Sequence, residues 1–232
     1  MITILDCLES TALKFPHKII SEDANKKITY SDFVKNAKSI GSFLCKYQVT
    51  RSPIAVFMDN SVESLEAMMG VVYSGNFYVV IDALMPLERI KNIFSTLKPV
   101  AVIFDEKCRK QAEKLEMDDN IYLYNELVQN NVNEETLQTV RSRMIDADPL
   151  YALFTSGSTG IPKGTVLTHL SVMKYTKWYA ETFNITENTI FGSQTPFYFS
   201  MSVSTIFSTI YTGAKLVIIP KQLFSFPVKL IA

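Results

Sequence analysis

The chain of 232 residues has room for one or two domains, and its 47% apolar content is ample for a core. Lysine plus arginine and aspartate plus glutamate balance at 23 each, so the net charge is zero, which argues against nucleic acid as the main partner because phosphate-backbone binding needs a basic face. Three scattered cysteines, Cys7, Cys45 and Cys108, without Cys-x-x-Cys spacing argue against a disulfide framework or a zinc site and for reduced thiols in the cytoplasm. No basic segment followed by a long apolar run opens the chain, so no signal peptide is expected.

Taken in order, Leu5, Leu8, Ala12 and Phe15 share one helical face that Pro16 ends. Ile19-Ile20 and Ile28-Thr29-Tyr30 flank a polar turn and read as a hairpin. Ser31 is a candidate N-cap for a helix burying Phe33, Ala37, Ile40 and Leu44. Residues 54–58 form a short apolar strand, and Asn60 or Ser61 caps a helix carrying Val62, Leu65, Met69 and Val72. Residues 77–81 read as a second strand. Pro86 opens a helix bearing Leu87, Ile90, Phe94 and Leu97. A third strand spans 100–104, a polar helix 107–115 and a fourth strand 121–124. Continuous apolar strands separated by helices imply a parallel sheet covered on both faces. Residues 125–148 are polar and loosely helical, and are expected to cross between two lobes.

A strand at 150–154 then delivers the loop Thr155-Ser156-Gly157-Ser158-Thr159-Gly160-Ile161-Pro162-Lys163-Gly164. Glycines let the backbone approach a ligand, successive N–H groups can make a concave anion site, and hydroxyls and one lysine add donors and charge. This chemistry suits the phosphates of a nucleotide. The loop is not a Walker P-loop, because its lysine precedes the glycine rather than following it. After the loop, residues 166–168 turn back along the first strand, and His169 begins a helix with Val172, Tyr175 and Tyr179 on one face. His169 reads as a capping or packing residue, since no nucleophile elbow stands near it. His17 has no partner group, so metal binding by histidine is not expected. Strands are expected at 189–194 and 215–219. The uncharged stretch 188–214 holds many Ser and Thr and Pro196, so it reads as strand, loop and buried helix rather than as a membrane span.

The ten residues from Thr155 to Gly164 match the phosphate-binding pattern Thr-Ser-Gly-(Ser/Thr)-Thr-Gly-x-Pro-Lys-Gly of the adenylate-forming superfamily, which this chain resembles. Thr29-Tyr30 is similar to a further motif of that family. So is the run Gly75 to Asp82 with Pro86, Arg89 and Ile90, in which Val80 stands where proline is usual. The latter points to the amino-acid-activating branch, and D-alanine:carrier-protein ligases look nearest. Tyr78, Asp82 and Arg89 read on their own as a strand aromatic, a strand-ending turn and a surface ion pair. The resemblance implies an α/β fold of mostly parallel sheets flanked by helices, an incomplete N-terminal domain of the adenylate-forming fold. Residues 1–147 would form a first lobe and 148–232 the start of a second.

It also implies that Thr155, Ser156, Gly157, Ser158, Thr159, Gly160 and Lys163 bind ATP, with Lys163 the catalytic charge. Ser200 stands where amino-acid-activating members carry an aspartate for the substrate ammonium, so it is a candidate for substrate binding. It could equally be a helix N-cap. Serine can accept a hydrogen bond but cannot neutralise a buried cation. The implied reaction activates a carboxylate with ATP and magnesium, then passes the acyl group to a carrier-protein or CoA thiol. The family's magnesium-binding glutamate, ribose-binding aspartate and C-terminal lobe are not found in these residues, so the magnesium ligand is expected outside them. Two alternatives stand beside this reading: a truncated nucleotide-binding fragment without turnover, and an acyl- or aryl-CoA synthetase.

Overall fold

A computed structural model describes residues 3–115, 117, 120–155, 162–225, 228 and 230. The first helix, α1 (Ile4–Lys14), leads into the hairpin β1 (Ile19–Glu22) and β2 (Lys27–Thr29). Thr29 rather than Ser31 caps α2 (Tyr30–Leu44): its Oγ1 accepts the Asp32 N–H at 3.1 Å, and Ser31 lies inside the first turn. Strand β3 (Pro53–Phe57) and helix α3 (Val62–Tyr73) follow, with Ser61 and Ser64 exchanging side-chain to backbone bonds at 3.0 Å. Then come β4 (Phe77–Val80), α4 (Leu87–Leu97) and β5 (Ala101–Phe104). The expected polar helix is shorter than its pattern, with a 3₁₀ turn at Glu106–Cys108 and α5 confined to Arg109–Ala112.

Strand β6 (Ile121–Leu123) precedes the short helix α6 (Tyr124–Leu127) and the helix α7 (Glu134–Arg141). Strands β7 (Pro149–Thr155) and β8 (Lys163–Thr168) form an antiparallel pair. The chain continues through α8 (His169–Thr182), β9 (Ile190–Ser193), α9 (Ser202–Thr212) and β10 (Lys215–Ile218). No helix among the described residues is long and apolar enough to cross a membrane. The uncharged 188–214 stretch folds as β9, a loop and α9.

Two sheets result, ordered β6-β5-β3-β4-β7-β8 and β2-β1-β10-β9. Every pairing is parallel except β1 with β2 and β7 with β8. Alternation explains the continuous apolar runs: Ile54, Val56, Tyr78 and Val80 face one core, while Ala55, Phe57, Phe77 and Val79 face the other. The first core also takes in α1, α2, α3 and α9 and the inner residues Ile20, Ile28, Leu216 and Ile218 of the smaller sheet. Each sheet draws strands from both sides of residue 148, because β7 and β8 join β3–β6 whereas β1 and β2 join β9 and β10. The division in sequence at 147/148 is therefore not a division between sheets.

Buried polar groups tie these layers together. Tyr30, at the start of α2, sits with its hydroxyl 2.7 Å from the Thr209 carbonyl and 2.8 Å from that of Ala214. Burial pushes its ionisation far above the usual phenol range. Glu66 on α3 has no exposed surface, yet it accepts from Lys26 at 2.7 Å, Tyr124 at 2.7 Å and Asn36 at 2.6 Å, so its charge is fully partnered.

Candidate active site

The glycine-rich loop connects β7 to β8, at the carboxyl end of a strand in the larger sheet. Ligands of open α/β sheets bind outside such ends. The register places Thr155 directly opposite Lys163, so the antiparallel pair closes the loop at its base. Lys163 is exposed and makes no ion pair among the described residues. Next to it, a Cβ on Gly164 would come within 3.0 Å of the Phe154 ring, which lies over that glycine. Of the expected ATP-binding residues, Ser156, Gly157, Ser158, Thr159 and Gly160 lie outside the described residues.

Toward the other end of the pair, Tyr151 and Leu167 face each other and line a cleft of about 620 Å³. Tyr151 is held from behind by stacking on Tyr78 at 5.7 Å and Phe207 at 6.4 Å, and burial raises its hydroxyl to about 12. From Tyr151 to Thr155 is four residues of strand, about 13 Å at the usual rise, so loop and cleft lie along one hairpin. Tyr175 and Tyr179 of α8 line a second side, and Gly192 and Ser193 at the end of β9 a third. Tyr175 is fixed to α9 by a 2.8 Å hydroxyl contact with Ser204. Ser193 is buried, and its Oγ has no partner among the described residues.

Ser200 lies in the cleft wall, exposed, two residues before α9. It is not the N-cap: α9 starts at Ser202 with Met201 at the cap position and no side-chain cap bond. The Ser200 carbonyl, rather than its hydroxyl, receives the Val203 N–H at 3.2 Å. Ser202 is the serine used locally, donating to the Phe199 carbonyl at 2.7 Å. Among the described residues that line the cleft, none carries a charge.

His169 is wholly buried, with Nδ1 accepting the Ile4 N–H at 3.2 Å across the molecule. It therefore completes the N-terminus of α1, as its packing or capping reading anticipated, though on a different helix from its own. Burial and the nearby Arg141 cation pull its pKa down to about 4. Asp82 accepts the Leu84 N–H at 2.9 Å, as a strand-ending turn should, and burial, with the Asp82 carboxylate nearby, raises the Tyr198 phenol to about 12. Arg89 is exposed on α4 and makes none of the expected ion pairs among the described residues.

Sequence reasoning missed Asn60. Its side-chain amide donates to the Thr195 carbonyl and accepts the Phe197 N–H, both at 2.9 Å, joining the end of β3 to the cleft wall. The available signal was a polar residue just past a buried strand, and it was spent on a helix cap.

Two mostly parallel sheets flanked by helices are the architecture of the N-terminal domain of adenylate-forming enzymes. The chain belongs to the AMP-binding enzyme family, whose profile matches residues 8–232. Among curated relatives, the D-alanine--D-alanyl carrier protein ligase of Listeria welshimeri serovar 6b is 28% identical over 96% of this chain and 44% of its own length. That of Lactococcus lactis subsp. lactis is 28% identical over 92% of this chain and 42% of its own length. The chain thus spans under half the length of the curated relatives it matches. Solved structures with the same fold include the nonribosomal peptide synthetase FmoA3, at TM-score 0.83 and 19% identity over 94% of this chain and 24% of that one. VinN matches at TM-score 0.81 and 18% identity over 99% of this chain and 66% of that one.

Proposed function

We propose that this chain is the ATP-handling part of a ligase that activates a carboxylate as its acyl-adenylate for transfer to a carrier-protein thiol. A carboxylate oxygen would attack the α-phosphorus of ATP. The bond to the β-phosphate oxygen breaks, and its electron pair leaves with pyrophosphate. A thiol sulfur then attacks the acyl carbon and AMP departs. The observation that carries this reading is the β7–β8 register, which sets Thr155 and Lys163 at the two ends of a loop matching the family's phosphate-binding pattern. Lys163, exposed and without an ion pair among the described residues, is free to meet the charge that builds on departing pyrophosphate. The loop residues 155–160 would hold the phosphates.

The D-alanine--D-alanyl carrier protein ligases among its relatives support D-alanine as the acid and a carrier protein as the acceptor, with CoA as the alternative thiol. A second reading of the acid rests on the uncharged lining of the cleft around Ser200. An ammonium held there would lack a counter-charge, so an acid with a neutral body, such as a hydroxy acid, fits these residues better. Among the described residues no group of three or more His, Cys, Asp or Glu could hold a metal ion. We place the protein in the cytoplasm, in keeping with three scattered cysteines that form no disulfide among the described residues.

Calorimetry tests both parts of this reading. Lys163→Ala should lower ATP affinity at least tenfold, the equivalent of about 1.4 kcal/mol, while AMP affinity stays within twofold. Equal losses for both nucleotides would remove Lys163 from the phosphate role. In the same titrations D-alanine and D-lactate, which share a skeleton, decide between an amino acid and a neutral acid.

A further inference from the structure

We propose that Asn60 is a positioning residue for the acid side of the cleft, acting through the segment 195–200; this rests on the ligase reading above. Between the end of β9 and the start of α9 the chain lies in neither a helix nor a strand, and Gln194, Thr195, Ser200 and Met201 of that stretch line the cleft. Left to itself, such a stretch would have little to fix its backbone. It is fixed instead by two attachments to the larger sheet and its core.

The first attachment is Asn60, which follows β3. Its amide copies what a neighbouring strand would offer: a donor to the Thr195 carbonyl and an acceptor for the Phe197 N–H, both at 2.9 Å. The second is the Phe197 ring, only 2% exposed in the main core. Asn60 thus reaches out from beyond the carboxyl end of β3 in the larger sheet. What it holds is the chain that leaves the carboxyl end of β9 in the other sheet. Ser200 and Met201, which line the cleft, come immediately after these anchors. Asn60 itself lies outside the cleft, so it shapes the acid's surroundings without touching the acid.

An amide is the side chain this job requires, since one donor and one acceptor must be met together. Aspartate in its place keeps the acceptor for Phe197 but turns an oxygen toward the Thr195 carbonyl. Alanine removes both bonds. The nucleotide loop hangs from β7 and β8, which the clamp does not touch. The two halves of the reaction should therefore respond differently.

The test measures amide hydrogen exchange at Phe197 together with binding of ATP, D-alanine and D-lactate, in the wild-type chain, Asn60→Ala and Asn60→Asp. Trp178, the chain's single tryptophan, packs 5.8 Å from the cleft residue Tyr175 and serves as a fluorescence reporter. Asn60→Ala should speed Phe197 exchange at least tenfold and weaken binding of the preferred acid about tenfold, with ATP affinity within twofold. Asn60→Asp should keep Phe197 protected and recover part of the acid affinity. Unchanged Phe197 exchange in Asn60→Ala overturns the clamp. Parallel loss of acid and ATP affinity reduces Asn60 to a stabilising contact and overturns its positioning role. A wild-type chain that binds ATP but neither acid removes the cleft as the acid site. A wild-type chain that binds none of the three sinks the ligase reading, and the proposal with it.

Discussion

His169 completes a helix whose first residue is Ile4, 165 positions earlier in the chain. To accept the Ile4 N–H, the ring must present an unprotonated Nδ1, and burial beside Arg141 keeps it neutral down to about pH 4. In the unfolded chain the same ring protonates near 6.5. Between those values the unfolded state binds more protons. The contribution of His169 is complete above about pH 6.5 and is lost as pH falls toward 4, about 3 kcal/mol in all. Urea unfolding at pH 7 and pH 4.5 should show that loss in the wild type and a smaller one in His169→Asn, whose amide oxygen can replace Nδ1. Identical pH dependence in the two proteins would contradict the buried neutral ring. The sequence marks His169 as a packing or capping residue but not its target, since no local pattern encodes a partner 165 residues away. Of the two cap candidates Asn60 and Ser61, Ser61 caps α3. The cap reading of Ser200 failed for the converse reason: local rules make it a good cap, but tertiary geometry left α9 uncapped by a side chain.

Helices α2 and α3 cross so closely that two glycines form the contact. A Cβ on Gly41 would stand 2.5 Å from Tyr73 Cβ, and one on Gly70 would stand 2.5 Å from Ile40 Cγ2 and 2.6 Å from its Cβ. Two effects oppose each other in Gly70→Ala. Alanine favours a helix over glycine by up to about 1 kcal/mol, while overpacking costs about 1–3 kcal/mol. The clash should win, because the Ile40 Cβ is fixed to its backbone and cannot swing away. The denaturation midpoint should fall with an unchanged slope; a rise would mean that the helices separate freely. At this scale the sequence was most legible. Periodicity located β3, β4, β5 and their intervening helices, since burial on both sheet faces leaves a continuous apolar run. It served less well at 107–115, where a polar surface helix has no apolar stripe to set its length.

For the molecule as a whole, the sheets interlock the chain rather than divide it. With β7 and β8 in the larger sheet and β1 and β2 in the smaller, neither residues 1–147 nor 148–232 contain a complete set of strands. Each piece made alone should show no cooperative melt, whereas the whole chain should show one; independent melting of either piece would mean that its strands can be satisfied locally. Strand order was the least legible property, because pairing such as Ser21 with Leu216 joins residues about 200 positions apart. That pairing also governs the birth of the protein. At the usual elongation rate of roughly 5–20 residues per second, β1 leaves the ribosome about 10–40 s before the strand it must lie beside. Throughout that interval the nascent hairpin exposes an open, apolar-backed edge. Synthesis of this chain should therefore lean on chaperones that shield such edges, and slowing translation should lengthen the exposure rather than help the chain to fold.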